Sequence, residues 1–231
     1  MGDFFEKIKK QTFFINLSER PDRLSHVTQE LAKMEIEGER VNAIKMSNGA
    51  IGCSLSHIKC LELAKEKNFP FVFICEDDIT FLNPQELKEK LIKFGSFPQL
   101  VDCFDVLIIG GNNLPPYTLI DDFCIKITNC QTTTGYIVNK HYYDTLINNF
   151  KKSTELFIKN NTKESKKQYA IDIYWKKLQI CGNWFMVYPP SVTQYQNYSN
   201  IEEKETNYSH LMLDAKKEWL INAHLHNSQK R

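Results

Sequence analysis

Short apolar runs rich in Phe, Val and Ile alternate along the chain with longer stretches in which apolar residues return every three or four positions. That alternation predicts an α/β sandwich built on a mostly parallel sheet. TFFINL (12–17) reads as the first strand, and SERPDRLSHVTQELAKMEIEG after it reads as a helix with Ser18 as cap, Pro21 in its first turn and Gly38 at its end. RVNAI (40–44) is a short second strand, and GAIGCSLSHIKCLELAKEKN carries Ile51, Leu55, Ile58, Leu61 and Leu63 in a helical rhythm. FVFIC is the third strand. NPQELKEKLIKF is a helix capped by Asn83 with Pro84 in first position, and FDVLIIGGNN is a fourth strand ending in a Gly-Gly turn. In the second half CIKIT, TGYIVN and NWFMVYPP read as strands, with a helix over about 139–150. The Lys- and Asn-rich stretch 151–168 reads as a mobile loop, and the polar tail beyond Gln194 as a segment that wraps the domain or carries ligand contacts.

Composition narrows the class. With 42% apolar and 25% charged residues the chain can bury a substantial core, and 29 basic against 28 acidic side chains leave no general field for nucleic acid or anionic lipid. An anionic ligand must be met locally. Seven cysteines without a CxxC pair, mostly inside apolar runs, read as reduced core thiols and favour a cytosolic setting. No signal-peptide h-region and no run long enough to cross a membrane is seen.

Ligands of open α/β sheets bind outside the carboxyl ends of the strands, and polar residues gather there: Asn16, Arg20 and Arg23 after the first strand, Asn112 and Asn113 after the fourth. The third strand ends in three successive acids, Glu76, Asp77 and Asp78. They form either a solvated turn or a cation site. On an extended chain Glu76 and Asp78 point one way and Asp77 the other, so the outer two can converge on a hard divalent cation. Arg20 and Arg23, three apart at a helix start, can chelate a diphosphate or simply pair with Glu19 and Asp22. Cys53, His57 and Cys60 match no common zinc spacing, and no third group orients a Cys-His nucleophile, so they read as core cysteines beside the helix-borne polar Ser56 and His57. His210, His224 and His226 sit in a tail that could fold back onto a metal.

In order, FFINLSERPDRL, GAIGCSLSHIKCLELAKEKNFPFVFICEDDITF, TTTGYIVNKHYYDTLI, IDIYWKKL and YPPSVTQYQNYSNI resemble the blocks of glycosyltransferase family 25, which includes lipopolysaccharide galactosyl- and glucosyltransferases and collagen hydroxylysine galactosyltransferases. The resemblance covers roughly residues 12–201 and is most specific in the GxxGCxxSH block leading to the acid cluster. It implies a GT-A-like, Rossmann-type αβα sandwich, assigned here to 1–201; no family pattern is found beyond Ile201, and the tail, 202–231, is expected to pack on the same domain. It also implies a UDP-sugar donor, an inverting transfer to a hydroxyl of a glycan or protein, and a divalent metal, Mn²⁺ or Mg²⁺, in a DxD-like motif. Carried over, Glu76 and Asp78 would hold the metal; His210, from the tail and outside the family's blocks, is a further candidate ligand. Asn16, Arg20, Arg23, Ser56, His57 and Asp77 would lie at the nucleotide. Asp172 would face the acceptor as general base, with Asp121 and Asp122 as the other candidates. Two rivals stand beside this reading: a catalytically silent nucleotide-sugar or glycan-binding relative, and a metal-dependent phosphoryl-transfer enzyme, which lacks a P-loop here.

Overall fold

The computed structural model describes residues 3–160, 162–199, 201 and 204–220. The chain opens with α1 (Asp3–Lys10), which the apolar pattern does not announce, then β1 (Thr12–Asn16), α2 (Pro21–Lys33), β2 (Glu39–Asn42), α3 (Gly49–Glu66), β3 (Phe71–Glu76), β4 (Ile79–Phe81) and α4 (Pro84–Gly95). A one-turn α5 (Pro98–Val101) leads to β5 (Val106–Asn113), the hairpin β6 (Tyr117–Asp121) and β7 (Cys124–Ile127), and β8 (Cys130–Asn139). A 3₁₀ turn precedes α6 (Tyr143–Asn160), followed by α7 (Lys163–Tyr169), α8 (Ile171–Tyr174), α9 (Lys176–Cys181) and β9 (Trp184–Val187). The closing elements are β10 (Val192–Gln194), β11 (Asn197–Ser199), β12 (Lys204–Thr206) and α10 (Ser209–Leu213).

The main sheet has eight strands in the order β2-β1-β3-β8-β5-β9-β7-β6. Strands β2, β1, β3, β5, β9 and β6 run one way; β8 and β7 run against them. This is the mostly parallel sandwich the alternation predicts. Strand β3 shows why both faces are covered. Phe71, Phe73 and Cys75 join Phe4, Leu31 and Phe94 on the side of α1, α2 and α4, whereas Val72 and Ile74 join Leu61, Leu146 and Trp175 on the side of α3, α6 and α9. A strand buried on both faces must be apolar throughout, which is what FVFIC is.

Several boundaries differ from the sequence reading. Ser18 caps nothing: α2 begins at Pro21, with Arg20 in the cap position and no side-chain cap, because proline at the first position already spares one unsatisfied N–H. The helix ends at the Met34 cap, and Gly38 lies beyond it at φ +46°. Asn48 caps α3 and Asn83 caps α4, the latter as expected. Gly110 and Gly111 do not turn the chain; β5 runs through them with its pairing to β8 slipping around Gly110. A Cβ on Gly110 would stand 2.7 Å from Val192 Cγ1, and one on Gly111 2.7 Å from Cys130 Sγ, so these glycines admit close neighbours. The stretch 151–168 is largely helical, in α6 and α7. Its apolar rhythm fades because the buried face of α6 includes Ser153 and Thr154, and Ser153 Oγ donates to the Tyr169 carbonyl at 2.5 Å.

Candidate active site

Because β8 runs against its neighbours, its first residues lie at the same sheet edge as the last residues of β1, β3 and β5. The pairs Ile15↔Glu76 and Asn112↔Gln131 fix that edge. Above it opens a cavity of about 630 Å³ lined by Glu76, Asp77, Asp78, Asn112, Thr132 and Asp172, among others. The N-terminal half of α3 and the tail residues Gln194, Tyr208 and Leu211 complete its walls. This volume lies within the usual range of small-ligand clefts.

The acids do not follow strand alternation. Strand β3 ends at Glu76, and Asp77 and Asp78 form the turn into β4, so the extended-chain geometry stops one residue before it is needed. Asp77 therefore does not face away. Arg23 Nη1 donates to Asp77 Oδ1 at 2.9 Å and to Asp78 Oδ2 at 3.2 Å, and Asn16 Nδ2 donates to Asp77 Oδ2 at 2.7 Å. Glu76 instead turns toward α3 and β8. Its Oε1 accepts from Thr133 Oγ1 at 2.5 Å and from His57 Nε2 at 3.2 Å, while His57 Nδ1 meets the Tyr136 hydroxyl at 2.8 Å. The tautomer with the proton on Nε2 satisfies both ring contacts of this fully buried histidine.

Burial and charge push these groups apart. Burial raises Asp78 to about 8, Glu76's charge adds to it, and Arg23 only partly offsets the two. Asp77 is raised by burial against the pull of Arg23 and Asn16. Burial works on Glu76 too, but the His57 and Thr133 bonds outweigh it and hold Glu76 below the usual carboxylate range.

Asp172 lies in the first turn of α8 without capping it. Its Oδ2 accepts the Thr132 N–H at 3.1 Å, and Thr132 holds φ +71°, a conformation unusual for a β-branched residue. Burial raises the Asp172 pKa, with that N–H opposing.

The remaining predicted residues divide. Arg20 Nη1 and Arg23 Nη2 both donate to the Tyr198 carbonyl at 3.2 Å, tying the β11–β12 hairpin to the start of α2. Ser56 and His57 line the cleft, Ser56 also accepting the Ile44 N–H at 2.8 Å. Asn16 backs Asp77 without lining the cleft itself. Asp121 and Asp122 are not brought to it: Asp121 ends β6, the outermost strand, Asp122 follows it, and exposed Asp122 pairs with Lys93. His210 is exposed on α10 and lines no part of the cleft, and His224 and His226 lie outside the described residues. Thr132, Thr133, Gln131 and Lys166 line the cleft without having been singled out, since nothing in TTTGYIVN states that its strand runs backward and starts at the site.

The donor set fits a hard cation. Asp78 Oδ1 is buried without a partner, as is Asn16 Oδ1, and carboxylate oxygens suit Mg²⁺ or Mn²⁺. Cys53, His57 and Glu76 also approach within 4.8 Å of one another. Burial, reinforced by the charge on Glu76, pushes the Cys53 thiol well above its ordinary value, which disfavours the thiolate that zinc needs.

An α/β sandwich with an acid-lined cleft at its strand ends is the class this geometry defines. Residues 44–104, from the loop after β2 through the acid cluster to the approach to β5, match the model of glycosyltransferase family 25, described as an LPS biosynthesis protein family. A "Putative glycosyltransferase" of Haemophilus influenzae is 33% identical over 103 residues, a match that spans 35% of this chain and 36% of that protein. Both matches support glycosyltransferase family 25. Among solved structures, a glycosyltransferase involved in the glycosylation of the major capsid of PBCV-1 is similar with a TM-score of 0.47 and 12% identity, covering 88% of each chain. A197 from STIV gives 0.45 at 13% identity over 85% of this chain and 92% of that one. A Drosophila galactosyltransferase mutant in complex with manganese, UDP-Gal and xylobiose gives 0.39 at 12% identity over 89% of this chain and 74% of that one.

Proposed function

We propose that the protein is an inverting, metal-dependent glycosyltransferase that moves a hexose, galactose or glucose, from a UDP-sugar to a hydroxyl of a glycan or protein. The observation that carries this reading is one cleft lined by Glu76, Asp77 and Asp78 beside Arg23 and by Asp172 as well. Asp78, through its unpartnered oxygen, and Glu76 would hold Mn²⁺ or Mg²⁺, which when bound acts as a Lewis acid toward the departing diphosphate.

The chain's own residues supply the rest. Arg23 keeps Asp77 and Asp78 from repelling one another, and with Arg20 it offers guanidinium N–H groups that a diphosphate can take from the Tyr198 carbonyl. Asp172, oriented by the Thr132 N–H and made more basic by burial, accepts the proton of the attacking hydroxyl. The tail walls off water on the side of Tyr208 and Leu211. No helix among the described residues is long and apolar enough to cross a membrane.

The test is UDP release from UDP-galactose and UDP-glucose with Mn²⁺, with and without saccharide acceptors. Metal-dependent release is expected. Tight UDP-sugar binding with no release under any acceptor would replace this reading with the silent nucleotide-sugar-binding relative.

A further inference from the structure

Resting on the reading of the cleft as a UDP-hexose site, we infer that Asn112 selects the transferred sugar by hydrogen bonding to one of its hydroxyls. Asn112 is 6% exposed, it lines the cleft, and its Oδ1 is buried with no partner. A buried amide oxygen left unpaired has lost its bond to water without replacement, so a protein keeps one where a ligand completes it.

The surrounding backbone is built to place this side chain. The β5–β8 ladder slips between Gly110 and Asn112, and the Asn112 N–H leaves the regular pairing to donate to Thr132 Oγ1 at 3.0 Å. Thr132 can offer that oxygen because it sits at φ +71°, and Asp172 holds it there through its N–H. A chain of contacts thus runs from the base candidate through a threonine at positive φ to the backbone N–H of Asn112. Asn112 and Asp172 are set together, and a sugar gripped by one is presented to the other.

The ligand chemistry follows from the charges. Arg20 and Arg23 stand at the cleft's cationic end, where a diphosphate is met. Linked to Asn112 are the Thr132 hydroxyl and, through the Thr132 N–H, the Asp172 carboxylate, and the next residue of β8, Thr133, bonds the Glu76 carboxylate. That set repels an anion and suits a neutral polyol, which donates to carboxylate and amide oxygens alike. Asn112 therefore belongs with the hexose and not with the nucleotide.

The test compares UDP with UDP-galactose and UDP-glucose by calorimetry on the full chain with Mn²⁺, for wild type, Asn112→Ala and Asn112→Leu, alongside melting temperature. The expected result is that both variants bind UDP as wild type does, bind the preferred UDP-hexose about tenfold more weakly, as one lost hydrogen bond implies, and melt no lower than wild type. The leucine variant keeps the volume if alanine leaves a harmful void. Equal weakening toward UDP and UDP-hexose, or unchanged discrimination between them, overturns the assignment of Asn112 while the nucleotide site stands. A wild type that binds neither UDP nor UDP-hexose overturns the reading of the cleft and this inference with it.

Discussion

Arg23 is the residue through which the acid cluster is tolerated, since its guanidinium is the cation that meets both Asp77 and Asp78. Even so, burial pushes Asp78 up to about 8 from an ordinary 3.8. An acid raised on folding is stabilised as the neutral form: the folded state binds the extra proton between the two values, so its stability falls as pH climbs from about 4 to 8. Asp77 shifts in the same direction. Glu76 shifts oppositely, but its window lies below its ordinary 4.5. The metal-free protein should therefore melt at lower temperature at pH 8 than at pH 5.5, and Asp78→Asn should flatten that slope; an unchanged slope in the mutant would remove Asp78 as its source. Mn²⁺ competes with the same proton, so its affinity should rise over this range. At Asp172 the expectation is different. Asp172→Asn retains an oxygen for the Thr132 N–H, so the melting temperature should hold, while kcat should fall by roughly 10² or more with UDP affinity nearly intact. Unchanged kcat would eliminate Asp172 as the base.

Elements decide what the residues can reach, and much of their arrangement was legible. The strands FFIN and FVFIC and the caps Asn83 and Pro84 were readable because each depends on a local rule. The sense of β8 was not. An antiparallel strand between β3 and β5 has the same apolar pattern as a parallel one, so Thr132 and Thr133 could not be placed at the site from their own sequence. The turn at Asp77 and Asp78 escaped for a related reason: where a strand stops is set by what packs beyond it. The stretch 151–168 differs from the loop reading because a helix can bury hydroxyls that carbonyls satisfy, Thr154 on Phe150 of α6 itself and Ser153 on Tyr169 at the end of α7. Gly52 shows the opposite case, a glycine whose role is close approach. A Cβ there would lie 2.3 Å from the Ile44 carbonyl oxygen, a backbone atom that cannot swing aside. Gly52→Ala should push the start of α3 from the strap after β2 and cost about 1–3 kcal/mol of stability. A denaturation midpoint equal to wild type would show that the strap yields freely.

At the scale of the whole molecule, the cleft draws on residues from Ile15 to Leu211, so a ligand seated in it touches nearly every layer of the fold. A ligand that binds only when those parts are assembled stabilises the assembly by mass action, by roughly 2.7 kcal/mol at a hundredfold excess over Kd. For a chain of this length that corresponds to a rise of roughly 5 to 10 °C in Tm. The proposed division of the site makes the pattern specific. UDP with Mn²⁺ should give the full rise, because metal and arginines share the diphosphate charge. UDP in excess EDTA should give a small one, because Arg23 is then still committed to Asp77 and Asp78 and no second cation shares the diphosphate charge beside these carboxylates. Mn²⁺ alone should give an intermediate rise at pH 8 and less at pH 5.5, following the proton it must displace from Asp78. A full rise with UDP in EDTA would remove the metal from Glu76 and Asp78 and leave Arg23 as the resident cation of the site; no rise with UDP under any of these conditions would remove the nucleotide.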